Sequence, residues 1–322
     1  MKKRNVKLLI TATLLILCLA LSAVLFAACN GDDLTSAYAE AQKNWSAAKN
    51  KVVYDTLVID GELGSGDSAV PVTVTVEGYR AYIGDEWVFD YNLKATGLEA
   101  VAGVLVGSVL EGTGADITLA RSSDGNISLK LGIPYLIENA IDTSFNESVV
   151  RDYLAVFDFA DNTFYDAENI SGSASSFTID AESSLGYILY QIAPALSLNF
   201  NFDVLPMLES WLTLGDVTGS VSFADGNFSA MTTSQSVELF LPDEDADFLA
   251  YNIDNFPDML ISFFETRKIS IAGFVEIDLS SAWAEGISLS ATVGSSAEYH
   301  LLASDATFDS VQADYDAAHS EN

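Results

Sequence analysis

From Lys51 onward, apolar and polar residues alternate with a period of two in one stretch after another. That alternation restricts the chain to strands with one face buried and one face wet. Val53, Leu57, Ile59 and Leu63 share a face that Asp55 interrupts. Val70, Val72, Val74 and Val76 alternate with Pro71, Thr73 and Thr75, and Trp87, Phe89, Tyr91 and Leu93 alternate with Val88, Asp90 and Asn92. The short Gly, Ser and Asp connections between these runs predict an antiparallel meander. Ile117 and Leu119 on one arm and Ile127, Leu129 and Leu131 on the other, joined at Asp124-Gly125, predict a hairpin. Val217, Val221 and Phe223, the turn Asp225-Gly226 and the arm 228–241 predict another. Strands are also expected over 163–170 and 176–181. In the last third, Ile269, Ile271, Val275, Ile277 and Leu279 face away from Ser270, Glu276 and Asp278, and Ile287, Leu289, Ala291 and Val293 repeat the pattern.

Helical signals lie between the strands. Residues 34–50 are rich in Ala, Glu, Gln and Lys and contain no Gly or Pro, so a helix anchored by Tyr38 and Trp45 is expected. Residues 97–111 are apolar almost all round, as are 186–198 and 204–214, and such helices bury every face. Pro134 opens a helical stretch to Asn139, 147–157 reads as another helix, and Phe256, Met259, Leu260, Phe263 and Phe264 stand at helical spacing beyond Pro242. The sum is an α+β fold: a large curved antiparallel β-sheet packed around apolar helices. Ser123-Asp124-Gly125-Asn126-Ile127-Ser128 and Ala224-Asp225-Gly226-Asn227-Phe228-Ser229 lie 101 residues apart. Each follows an apolar helix and precedes a strand ending in proline, Pro134 or Pro242, and then a further helix. This order suggests a duplicated helix-hairpin-helix unit, with halves 34–183 and 184–303 inside a single domain 34–303. Residues 304–322 read as an acidic C-terminal tail that frays, with Phe308, Val311 and Tyr315 making one amphipathic turn.

The N-terminus speaks to location. Lys2, Lys3, Arg4 and Lys7 precede an uncharged apolar run, 8–26, which has the form of a secretory signal. Phe26-Ala27-Ala28-Cys29 resembles the bacterial lipobox, with Phe26 at the position where Leu is commoner. The resemblance implies a lipoprotein signal peptide over 1–28, cleavage before Cys29, a fatty-acylated (palmitate-type) thiol at Cys29 and a polar tether over 29–33. An uncleaved anchor helix is the alternative, because about 20 apolar residues suffice to span a bilayer. Either arrangement holds the body on the extracytoplasmic face of a bacterial membrane.

Charge and cysteine content then exclude whole classes of function. Removing residues 1–28 takes away four basic and no acidic residues, which leaves ten basic against 46 acidic, a formal charge of −36. Such a field repels phosphate backbones, so nucleic acid is not an expected partner. Cys18 lies within the signal and Cys29 carries the lipid, so no disulfide or cysteine metal site is expected in the mature body.

Motifs of catalysis fail on context, and no enzyme and no cofactor are expected. Gly64-Ser65-Gly66-Asp67-Ser68-Ala69 has dinucleotide-loop spacing but runs into the strand from Val70 rather than into a helix. Ser46-Ala47-Ala48-Lys49 has the SxxK spacing with no KTG after it. The two histidines, His300 and His319, form no zinc motif. Asp243, Asp245 and Asp247 space like the opening of a calcium loop, but Phe248 replaces the required Gly and Asp254 the closing Glu. An acidic first turn of a helix explains them as well.

The surplus of apolar helices over a β-rich body, together with the lipobox, gives an architecture that resembles LolA and LppX-type lipoprotein carriers. That resemblance implies a half-barrel holding a lipid or other hydrophobic or amphiphilic ligand without catalysis. Helical spacing nominates Val101, Leu105, Val109, Tyr190, Leu208, Trp211 and Phe263 as its lining. The other reading is a surface module whose acidic face meets a partner protein or cell-wall cations.

Overall fold

The computed structural model describes residues 34–64, 67, 69–99, 104–133, 137–146, 167–185, 205–245, 266, 268–271, 275–278, 280 and 286–319. Cys29, Val101, Tyr190, Asp247 and Phe263, and the helices expected over 147–157, 186–198 and 256–264, lie outside them.

The period-two segments become strands of one antiparallel sheet. Strands β1 (Asn50–Leu63), β2 (Val70–Ile83) and β3 (Glu86–Thr96) form the predicted meander. β1 and β2 pair from Asn50↔Ile83 to Leu63↔Val70, so the Gly64 to Ala69 segment is the connection between paired strands. β4 (Ala115–Arg121) and β5 (Asn126–Ile133) form the first Asp-Gly hairpin, and β6 (Ile137–Asn146) pairs with β5. β7 (Ile170–Ser173), β8 (Ser176–Ile179), β9 (Leu212–Leu214), β10 (Val217–Ala224) and β11 (Asn227–Pro242) follow. β12 (Lys268–Ile271) and β13 (Val275–Asp278) pair only with each other, and β14 (Gly286–Leu301) returns to the main sheet. The strand order is β6-β5-β4-β3-β2-β1-β14-β11-β10-β8-β7, with β9 paired to β11 beyond the end of β10. β14 joins the two ends of the sequence, pairing with β1 on one side and β11 on the other. The sheet therefore takes strands from both sides of residue 183.

Helix α1 (Leu34–Ala47) forms where predicted and buries Leu34, Tyr38, Ala41 and Trp45, a spacing that puts all four on one stripe. Tyr38 meets Phe228 edge-on at 5.3 Å and Trp45 meets Tyr299 at 5.1 Å. The sheet face that α1 covers is called the inner face below. α2 (Val104–Gly112) precedes β4, and α3 (Leu205–Trp211) precedes β9. α4 (Phe308–His319) lies on the outer face, where Val311 completes a buried cluster with Val52, Tyr79 and Ala81. Among the described residues no helix is long and apolar enough to cross a membrane.

Several expectations require correction. The segment after Pro134 is strand β6 rather than a helix. Ile137, Ile141 and Phe145 recur every four residues, a spacing that shares one face in both a helix and a strand, and pairing with β5 decides between them. Helix α3 stops at Trp211, and Leu212–Leu214 extends along β11 instead. Within 163–170 the described residues form a 3-10 turn, Ala167–Asn169, and the strand starts only at Ile170. The C-terminal segment is a three-turn helix rather than a single turn in a fraying tail, because the apolar residues Phe308, Val311 and Tyr315 find partners on the outer face. Among the described residues, strand β6 follows the first hairpin where the repeat expected a helix.

The two related turn strings also fold differently. At the first, Ser122 accepts from the Gly125 N–H at 2.9 Å, and Gly125 takes φ 77°. At the second, Asp225 and Gly226 both take positive φ, 51° and 74°, between the paired Ala224 and Asn227, a two-residue primed turn.

Candidate functional site

The inner face is mostly apolar, and the position of the buried ion pair it carries follows from register. Asp55 of β1 stands opposite Gly78 of β2, which stands opposite Tyr91 of β3. A Cβ at Gly78 would lie 2.7 Å from Cδ1 of Tyr91, so only glycine leaves the Tyr91 ring room between the neighbouring strands. Tyr91 thereby stands close to Asp55, where its hydroxyl favours the charged carboxylate. Arg80, one pleat along β2, places a guanidinium nitrogen 2.7 Å from the Asp55 carboxylate, and the two side chains are only 2% and 1% exposed. Burial opposes the charge on Arg80, but Asp55 overcomes that and holds the guanidinium above its usual pKa. Burial likewise lifts the Asp55 carboxyl above the ordinary range, with Arg80 and Tyr91 pulling it back down. Tyr91 is pushed well up by burial and by the adjacent Asp55 charge, so it remains a donor.

Lys51 is buried on the same face. Its ammonium donates to the Trp45 carbonyl at 2.9 Å and stands 5.2 Å from the ring centres of both Trp45 and Tyr82. This ties the last turn of α1 to the sheet through a charge-assisted hydrogen bond and two cation–π contacts. Further along, Thr233 and Ser295 share a buried hydrogen bond of 2.6 Å, and Gln235 donates to Ser184 at 2.7 Å. Chemically the inclusion can orient a polar group within an apolar face. Among the described residues it holds no nucleophile paired with a base.

The outer face carries a groove of about 640 Å³ between β2, β3, β4 and α4. Glu77, Asn92 and Asp116 form one cross-strand row of its floor, and Asp90 and Thr118 the next. Thr118 donates to Asp90 at 2.8 Å, and Asn92 donates to Asp116 at 2.7 Å. Lys94 pairs with Glu77 at 2.9 Å, both about one-third to two-fifths exposed. Tyr315 and His319 of α4 stack at 4.1 Å and make the wall. Burial raises the Asp90 carboxyl, and the Asp116 and Asp316 charges add to that against the pull of Thr118. Burial and the nearby carboxylates, Glu77 first, push the Tyr315 phenol up to about 12. Among the described residues no three His, Cys, Asp or Glu side chains are grouped to hold a metal ion.

The described residues among the nominated lining fall on two helices. Leu105 and Val109 belong to α2, where Val109 packs on a cluster of Ala95, Leu110, Ala115 and Ile133. Leu208 and Trp211 belong to α3, half-buried and buried respectively. Trp211 donates its indole N–H to Asp245 at 2.9 Å, which gives one carboxylate of the calcium-like string a structural partner. Asp243 lies in the helical turn just after Pro242. The sequence did carry a signal for the polar inclusion. Asp55 and Arg80 both fall on apolar-face positions of amphipathic strands, and Arg80 is one of only ten basic residues after position 28.

Comparison with known proteins adds little. No family model matches the chain and no curated protein matches it. A solved structure described as an AttH of Nitrosomonas europaea is similar at 7% identity and a TM-score of 0.18, over 78% of this chain. The match spans 52% of that structure's length.

Proposed function

We propose that the chain is a non-catalytic extracytoplasmic lipoprotein, anchored to the membrane through Cys29, that binds a hydrophobic or amphiphilic ligand. In this reading the sheet curves around apolar helices, and the ligand lies against its inner face. The supporting observation is the composition of that face. Leu57, Val76, Phe89, Ile117, Leu119, Ile127 and Leu129 form a buried apolar field across five strands, interrupted by the Asp55, Arg80 and Tyr91 inclusion. An apolar field with a few fixed polar groups is the usual make-up of a site for an amphiphile. The test is mass spectrometry of an organic extract from purified protein. A stoichiometric co-purifying lipid is expected, and an extract free of lipid after mild, detergent-free isolation contradicts the reading.

A second reading, contact with a partner protein or cell-wall cations through the acidic face, is favoured by one observation. Glu77, Asp90 and Asp116 converge on the outer groove opposite the single cation Lys94 among its lining residues.

A further inference from the structure

We propose that α4 is a strap held on the outer face against like charge, so that screening salt clamps it, and its release opens the groove and bares the apolar patch beneath. The strap is independent of what either face of the sheet binds.

Its grip is narrow. Thr307 and Ser310 cap the helix reciprocally, the Ser310 N–H donating to the Thr307 hydroxyl at 3.2 Å and the Thr307 N–H to the Ser310 hydroxyl at 3.1 Å. Of the twelve residues of α4 only Val311 is buried, whereas α1 buries four of fourteen. Phe308 and Tyr315 add partly buried contacts to the cluster of Val52, Tyr79, Ala81 and Val311, and Tyr79 donates to Gln312 at 2.6 Å. A helix this short is marginal in water by itself, so leaving the sheet also unwinds it.

Charge opposes that grip. Gln312, which accepts from Tyr79, donates to Asp316 at 2.8 Å, and Tyr79 stands opposite Asp90 in the pairing of β2 with β3. Asp316 is therefore held two hydrogen bonds from the cross-strand neighbour of Asp90. Burial raises the Asp90 carboxyl first, and the Asp116 and Asp316 charges raise it further. The Tyr315 ring rests on two tyrosines, 5.3 Å from Tyr79 and 5.6 Å from Tyr54. Tyr54 stands opposite Glu298 in the pairing of β1 with β14, and after burial the Asp314 and Glu298 charges both raise its phenol. Asp314 and Asp316 thus each bring a negative charge beside one of the sheet, Glu298 or Asp90. Glu298 has His300 at 3.6 Å and Asp90 has the neutral donor Thr118, while Lys94 is engaged by Glu77 at 2.9 Å. Among the described residues no Lys or Arg ties a carboxylate of α4 to the sheet. Asp316 also lies in the last turn of the helix, where the dipole disfavours an anion.

The test is amide hydrogen exchange of the whole protein at one fixed pH, read as the protection of α4 relative to β2 and β3, in low and in high sodium chloride. Screening shortens the reach of the charges from about 30 Å at 0.01 M salt to about 3 Å at 1 M. Relative protection of α4 should rise about three- to tenfold between those limits. Asp314→Asn/Asp316→Asn should raise it about threefold at low salt and respond less to added salt. Asparagine keeps an oxygen to accept from Gln312, so this variant removes charge without removing that bond. Glu62→Gln/Glu238→Gln removes two charges from exposed positions that flank Ser290, at the far end of β1 from Val52, and should leave relative protection unchanged. Four results overturn the proposal: α4 exchanging in step with β2 and β3 at every salt concentration, relative protection that salt does not move, wild-type protection in the Asp314/Asp316 variant at low salt, or an equal gain in the Glu62/Glu238 variant. A salt response as large in the Asp314/Asp316 variant as in the wild type assigns the effect to the apolar contacts and overturns it as well.

Discussion

Arg80→Met should destabilise the protein by an amount that depends on pH in a direction the buried ion pair dictates. Arg80 and Asp55 are both nearly inaccessible and 2.7 Å apart, so removing the guanidinium strands a buried carboxylate without its cation. Removing one member of a buried pair typically costs about 3–5 kcal/mol. The carboxylate can escape part of this by taking up a proton. Against an unfolded pKa of about 3.9, holding Asp55 neutral costs at most roughly 4 kcal/mol at pH 7 and roughly 1.5 kcal/mol at pH 5. In the variant the folded-state pKa lies far above the unfolded one, so the native state binds the extra proton and stability falls as pH rises through that window. Asp55→Asn behaves differently, because Arg80 cannot shed its proton and the variant has no carboxyl at this site to take one up, so its own stability carries no titration from the pair. Urea denaturation of both variants between pH 5 and pH 8 measures this. An Arg80→Met penalty below about 1 kcal/mol, or one that does not shrink as pH falls, refutes the reasoning.

Three further outcomes follow from the same geometry. Gly78→Ala should push Tyr91 away from Asp55 and cost about 2 kcal/mol or more, read by urea denaturation, since the added Cβ collides with the Asp90 carbonyl oxygen as well as the Tyr91 ring. Asp90→Asn should stabilise the protein at pH 7, because the folded state raises this carboxyl and so favours its neutral form; the gain should vanish below about pH 3, where Asp90 is protonated in both states, and thermal melts at the two pH values check it. Val311→Ala should cost ~2 kcal/mol and speed amide exchange in α4 above all, because Val311 is 1% exposed at the centre of the cluster that seats the helix.

Alternation made the meander, both Asp-Gly hairpins and the long final strand legible in the sequence, because a half-buried strand writes its burial directly into every second residue. Where two structures share a spacing, the sequence could not choose. Ile137, Ile141 and Phe145 suit a helix or a strand, and only the partner β5 resolves them. The C-terminal helix is faint in the sequence for a related reason: its stripe is narrow, and the surface it needs, Val52, Tyr79 and Ala81, lies more than 200 residues earlier. The polar inclusion was half visible. Asp55 stood out as a break in its face, but its contact with Arg80 is diagonal across the pleat and depends on register, which one sequence does not specify. The groove was not visible at all, because Glu77, Asp90 and Asp116 come from three strands and its wall from a fourth element.

The anchored location underlies the whole functional account, and it is tested most directly by growing cells with labelled palmitate and following the label on the wild-type chain and on Cys29→Ser. The account predicts label on the wild type, none on the variant, and release of the variant from the membrane fraction. An unlabelled wild type, or a variant that fractionates as the wild type does, would contradict it.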